Sequence, residues 1–113
     1  MTKAIIIKKQ GGPEVLELSD IKLGAPGPNE IKVKNIAIGI NYIDTYHRSG
    51  LYPVTLPSGI GLEAAGKVIE IGSSVKDFSI GDDIAYAGGT PSAYAEERIL
   101  PALLGVKIPD GIS

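Results

Sequence analysis

Apolar and polar positions alternate over short distances from the start of the chain. Ala4-Ile5-Ile6-Ile7 is a β-branched run, closed by Lys8-Lys9 and then by Gln10-Gly11-Gly12-Pro13. Residues 14–19 follow, with Leu16 and Leu18 two apart. Two such runs around a glycine-rich break predict an opening β-hairpin. Gly24-Ala25-Pro26-Gly27-Pro28-Asn29 reads as a loop, because proline lacks an N–H and biases the residue before it away from helix.

Residues 30–41 carry the most detailed pattern. Ile31 and Val33 alternate with Lys32 and Lys34, which turns odd positions to the core. Ile36, Ile38 and Ile40 then place even positions inside. A side-chain period of two changes phase only at an extra residue or a strong bend, so a bulge is predicted near Asn35. Ala37 and Gly39, on the other face, are small enough for a second backbone to come close.

Residues 42–48 predict a short helix with Asn41 as N-cap and Gly50 as its stop. Asp44 and Arg48, four apart, are expected to pair on its outer face, and His47 to face solvent. Beyond an irregular loop at 52–59 lies an apolar unit at 61–72, and then a polar loop anchored by Val75, Phe78 and Ile80. A strand is predicted at 84–87, a turn at Gly88-Gly89-Thr90-Pro91, and a strand returning beside it at 92–100.

Composition narrows the functional classes. The chain has 113 residues, 43% of them hydrophobic and 21% charged, with net charge -2. These values fit one globular domain. The basic residues are scattered, which argues against a nucleic-acid surface. With no cysteine, neither disulfides nor thiolate zinc sites are available. The single histidine leaves too few nitrogen ligands for a typical metal site. The apolar run after Met1-Thr2-Lys3 is too short for a membrane span or a signal sequence, so a cytoplasmic protein is predicted. Fifteen glycines and eight prolines favour short strands over long helices.

Gly59-Ile60-Gly61-Leu62-Glu63-Ala64 fits a loose dinucleotide-binding pattern. That chemistry needs a strand before the glycines and a helix after them, to present its N-terminus to a pyrophosphate. Prolines precede this segment, and Gly66 with a β-branched run follows, so neither flank fits. No strand, glycine loop and helix occur together elsewhere, and no Rossmann half is predicted.

Several stretches together resemble the medium-chain dehydrogenase/reductase superfamily, and within it the zinc-free NADPH:quinone oxidoreductase (zeta-crystallin-like) branch. They are Gln10-Gly11-Gly12-Pro13-Glu14-Val15-Leu16, Ala37 to Tyr46 continuing through Arg48 to Pro53, Gly61-Leu62-Glu63-Ala64-Ala65-Gly66-Lys67-Val68, and the region around Gly81-Asp82. The resemblance implies a mainly β, GroES-like, partly open β-barrel with short helices over residues 1–113. It implies a catalytic domain forming one wall of a cleft whose other wall, a Rossmann domain, carries NADPH. The zinc branch has a cysteine where this chain has Asn41, and a His-Glu pair where it has Leu62-Glu63, so a metal-free site is expected.

By the same resemblance, Asn41 and Ile43 border the cofactor, Tyr46 and Tyr52 line the quinone pocket as catalytic groups, and Asp44 and Glu63 support them from behind. The residues themselves leave other roles open. Asn41 can be an N-cap only, Tyr46 a core ring, Tyr52 a loop-packing ring, and Asp44 a capping residue. Glu63 is expected to be a buried, hydrogen-bonded carboxylate bracing the barrel.

The chain stops at Gly111-Ile112-Ser113, before a nucleotide domain. The expectation is therefore a truncated or split-gene product, inactive alone and without tight NADPH binding, unless a separately encoded Rossmann-domain chain completes it. Exposed apolar surface is expected, favouring a homo-oligomer or a partner. A stand-alone GroES-like protein- or ligand-binding module without catalysis is the competing expectation.

Overall fold

The computed structural model describes residues 2–109 and 111. The predicted opening hairpin forms: β1 (Thr2–Ile7) pairs antiparallel with β2 (Glu17–Ile21), and a 3-10 turn at Pro13–Val15 lies between them. β3 (Glu30–Ile38) leads into α1 (Tyr42–Ser49), followed by the two-residue β4 (Ser58–Gly59), β5 (Glu63–Ile71) and β6 (Asp83–Ala87). β7 (Glu97–Pro101), a 3-10 turn at Ala102–Leu104 and β8 (Gly105–Lys107) complete the order. Asp110, Ile112 and Ser113 of the tail lie outside the described residues.

The strands make two open sheets that do not close into a barrel. One has the order β2-β1-β4 and the other β7-β3-β5-β6-β8, and every recorded pairing is antiparallel. The mainly β, GroES-like expectation stands on this architecture. The segment before β7 ties the sheets together: Ile5 N–H donates to the Tyr94 carbonyl at 2.8 Å, and Ala4 bridges to Ala95. Apolar burial is concentrated in one cluster built on Ile31, Val33, Val68, Ile84 and Leu100, all almost wholly enclosed. A smaller cluster of Ile7, Val15 and Ile60 sits beside the first sheet.

The bulge lies where the pattern placed it. Asn35 is opposite Gly66 and Ala37 opposite Ala65, so Ile36 is the extra residue. A second irregularity falls between Lys32 and Val33. The direction of the isoleucines is corrected, however. Ile36 is 70% exposed, Ile38 42% and Ile40 82%. The inward series Ile31, Val33 continues at Asn35, whose Nδ2 donates to the carbonyls of Ala93 and Ala95 at 3.2 and 3.0 Å. A polar side chain thus fills the next core position, and the isoleucines are left on the outer side.

One further expectation changes. Residues after the Gly88–Pro91 turn do not return beside β6. Ser92, Ala93 and Tyr94 donate instead to the Gly61 and Ile60 carbonyls, and this carries β7 across to pair with β3. β8 takes the place beside β6. The segment resembling a dinucleotide fingerprint is followed by β5, a strand and not a helix.

Candidate functional site

The open end of β3 runs directly into α1, and the predicted site residues gather around this helix. Asn41 is its N-cap, with extended φ and ψ of -131° and 154°. Its backbone N–H donates to Asp44 Oδ2 at 3.0 Å, and Asp44 N–H donates to the Asn41 carbonyl at 3.0 Å. Gly50 stops the helix in the left-handed region at φ 94°, as predicted, and donates to the Tyr46 carbonyl. Gly11 N–H donates to the Arg48 carbonyl at 2.8 Å, and Arg48 Nε donates to the Gly11 carbonyl at 3.2 Å. The Gln10–Leu16 stretch therefore serves as the seat of the helix's C-terminal end.

Asp44 is buried, and its partner is not Arg48. Tyr94 Oη donates to Asp44 Oδ2 at 2.5 Å. The helix turns Asp44 and His47, three apart, to its inner face, which also corrects the expectation that His47 faces solvent. Asp44 Oδ1 and His47 Nδ1 are buried without a partner. Burial, with the hydrogen bond and charge of Asp44 adding to it, holds the Tyr94 hydroxyl well above the usual phenol range.

Tyr46 and Tyr52 meet edge to face, with centroids 5.3 Å apart. Tyr42, one turn before Tyr46, extends the file at 6.4 Å. Tyr46 is half-buried, whereas Tyr52 and Tyr42 are exposed. Asn41 and Ile43 are half-buried at the start of the helix. Asn41, Ile43, Asp44 and Tyr46 are thus held by one short helix and its cap, and Tyr52, in the loop after it, joins them through its N–H bond to the Tyr46 carbonyl and its ring contact with Tyr46. Glu63 is on β5 instead. It is exposed, not buried, because the inward alternation of β5 falls on Ala64, Gly66 and Val68. Its side chain lies over Gly39, where a Cβ would meet it, and its carbonyl accepts from Gly39 N–H at 3.1 Å.

Beside the helix the surface is apolar. A shallow cleft of about 230 Å³ is lined by Ile5, Ile38, Ile40 and Tyr94. Another hollow lies over Ala37, Gly39 and Ala65, with Glu63 at its edge. The hollow at Pro26, Pro28 and Ile80 borders Ile71, at the far end of the β3–β5 pair from α1. Beneath the bulge, Tyr86 Oη donates to Asn35 Oδ1 at 2.9 Å and the Arg98 guanidinium stacks on the Tyr86 ring at 5.2 Å. Burial pulls Arg98 down from its ordinary range and pushes Tyr86 up, with the nearby Arg98 charge partly offsetting the latter.

Sequence reasoning missed Tyr94, Asn35, Tyr86 and Arg98. Their partners are 50 or more residues away for Tyr94 and the Asn35–Tyr86 pair, and no local pattern marks them. Among the described residues no group of three or more His, Cys, Asp or Glu side chains is gathered to hold a metal ion.

The alcohol dehydrogenase GroES-like domain matches residues 27–110. The chain belongs to this family. It is 52% identical to a quinone oxidoreductase of Pseudomonas aeruginosa, over 99% of this chain and 35% of that protein. A Pseudomonas syringae quinone oxidoreductase structure superposes with a TM-score of 0.97 at 50% identity, covering 100% of this chain and 35% of that one. The Escherichia coli quinone oxidoreductase, solved in complex with NADPH, gives a TM-score of 0.95 at 47% identity, with the same coverage. The domain therefore spans about a third of the length of the quinone oxidoreductases it matches. No helix among the described residues is long and apolar enough to cross a membrane.

Proposed function

We propose that this domain forms the substrate-side wall of an NADPH-dependent quinone reductase, with Asn41, Ile43, Tyr46 and Tyr52 facing the reacting rings. The observation that carries the reading is the placing of Asn41, Ile43 and Tyr46 on one short helix and its cap, with Tyr52 packed edge to face on Tyr46 from the loop after it, beside an apolar surface left open, in a chain half-identical to quinone oxidoreductases along its whole length.

The chain's residues fit one end of the cofactor only. A carboxamide and tyrosine rings suit a nicotinamide and a flat quinone. The sheets are purely antiparallel, so among the described residues there is no parallel β–α–β unit to receive the pyrophosphate. That cradle belongs to a nucleotide-binding domain, for which the isoleucine stripe of β3 is the docking face, whether it stands in the same polypeptide or in another.

When bound, NADPH supplies the hydride. Asn41 orients the carboxamide or ribose side of that ring through its own amide, which both donates and accepts. Tyr46 and Tyr52 present edge and face to a quinone and offer phenolic O–H donors to its carbonyl oxygen, where negative charge develops. Ile38, Ile40 and Ile43 keep water from the reacting atoms and so strengthen those hydrogen bonds. Asp44 supports the helix from inside, and Glu63 edges the neighbouring hollow from β5. No step calls on a metal.

Replacing the matching third of the Pseudomonas aeruginosa enzyme with this domain tests the reading. The chimera is expected to reduce quinones with NADPH. Tyr52→Phe in it should lower turnover about tenfold, the value of one neutral hydrogen bond lost in the transition state. A folded chimera that binds NADPH but reduces no quinone would sink it.

A further inference from the structure

We propose that Tyr94 is a positioning residue: through Asp44 it fixes the N-terminal end of α1, and with it Asn41, relative to the two sheets. The inference deepens the reading of Asn41 given above and rests on it for its functional meaning.

α1 has eight residues, too few to be stable by its own hydrogen bonds. Its place is therefore set by its anchors. The C-terminal end is anchored by the paired Gly11–Arg48 bonds. At the N-terminal end, the Asn41 N–H bond to Asp44 Oδ2 lies within the cap, so it shapes the first turn without locating it. The Tyr94 hydroxyl is the donor that comes from outside the helix, 50 residues away.

Tyr94 is itself held on both sides. Its N–H donates to the Ile60 carbonyl at 2.9 Å and its carbonyl accepts from Ile5 N–H at 2.8 Å. Its ring lies against Gly61, where a Cβ would stand 2.4 Å from Cδ1, so only a glycine there admits the ring. Gly61 also has a φ of 93°, which independently favours glycine. A rigid backbone thus delivers one hydroxyl to one buried carboxylate oxygen. The other oxygen, Oδ1, has no donor, so Tyr94 supplies one of the two hydrogen bonds that this carboxylate receives.

Amide hydrogen exchange of the 113-residue chain tests the proposal, reading Asn41 N–H against Val68 N–H in the core. Tyr94→Phe removes the hydroxyl alone. It is expected to speed Asn41 exchange at least tenfold relative to Val68, whereas a general loss of stability would speed both alike. An unchanged ratio overturns the proposal. A second measurement needs no variant: a resolved Tyr94 hydroxyl proton with a cross-peak to Asn41 N–H is expected in the wild type, and its absence also overturns the proposal. A titration with NADPH of the Pseudomonas aeruginosa chimera, which supplies the nucleotide-binding part, is read at the Asn41 side-chain amide and separates the two levels. A raised ratio with no NADPH response at that amide in a chimera that binds NADPH upholds Tyr94 as the positioning residue and sinks the cofactor reading of Asn41.

Discussion

At the scale of single residues, the partners of buried polar groups set the site's behaviour toward pH. The Tyr94 and Tyr86 hydroxyls are both raised above the ordinary phenol value of 10.0, each first by burial. An unfolded tyrosine loses its proton near that value while the folded one keeps it. The folded state then binds more protons, and stability falls as pH rises. The contribution is complete below about pH 10 and is lost above it. Tyr94→Phe removes a hydrogen bond to a charged group, worth about 1.5–3 kcal/mol, and the half-exposed ring puts the expected loss at the lower end. In urea unfolding, the gap between wild type and this variant should stay constant from pH 7 to 9 and narrow above 10. A constant gap to pH 11 would contradict the assignment. None of this was legible in the sequence. Asp44 has a basic residue four positions on, and local spacing favours that pair. The structure prefers a hydroxyl brought from the other side of the fold, because the helix turns Asp44 inward.

Elements were more legible than contacts. The change of phase along residues 30–41 required a bulge, and β3 has one at Ile36. The same pattern misplaced the isoleucines, because hydrophobicity alone cannot say that Asn35 fills a core position through three hydrogen bonds. Helix α1 was readable from its two ends, Asn41 and Gly50, with its C-terminal boundary one residue further on. Both features can be tested by adding a single methyl group. At Gly66, opposite Asn35, a Cβ would stand 2.2 Å from the Lys34 carbonyl oxygen. Gly66→Ala is expected to cost about 1–3 kcal/mol, the usual range for overpacking. At Gly50 the φ of 94° is the obstacle. Gly50→Ala should cost about 1–2 kcal/mol, the penalty for an L-residue in that region. Denaturant midpoints check both, and a neutral Gly66→Ala would mean that the bulge relaxes freely.

On the scale of the whole molecule, the open sheets and the exposed stripe are two sides of one fact. β7 pairs with β3 only as far as Lys34, opposite Glu97, and beyond that point no further strand of the described residues covers the isoleucines. Ile36, Ile38 and Ile40 then lead straight to Tyr42, which is itself 82% exposed. This exposed apolar stretch is the docking face proposed above. Ile40→Lys separates its two consequences. Ile40 is 82% exposed, so folding stability should change by no more than about 0.5 kcal/mol. Association is a different matter, since a lysine placed in an apolar contact must give up its hydration. Sedimentation of the 113-residue chain should show concentration-dependent self-association that weakens in Ile40→Lys. In the Pseudomonas aeruginosa chimera, the same change should loosen contact with the nucleotide-binding part and raise the Michaelis constant for NADPH. Full stability with unaltered association and unaltered kinetics would mean that this stripe is merely exposed, and that the docking face lies elsewhere on the domain.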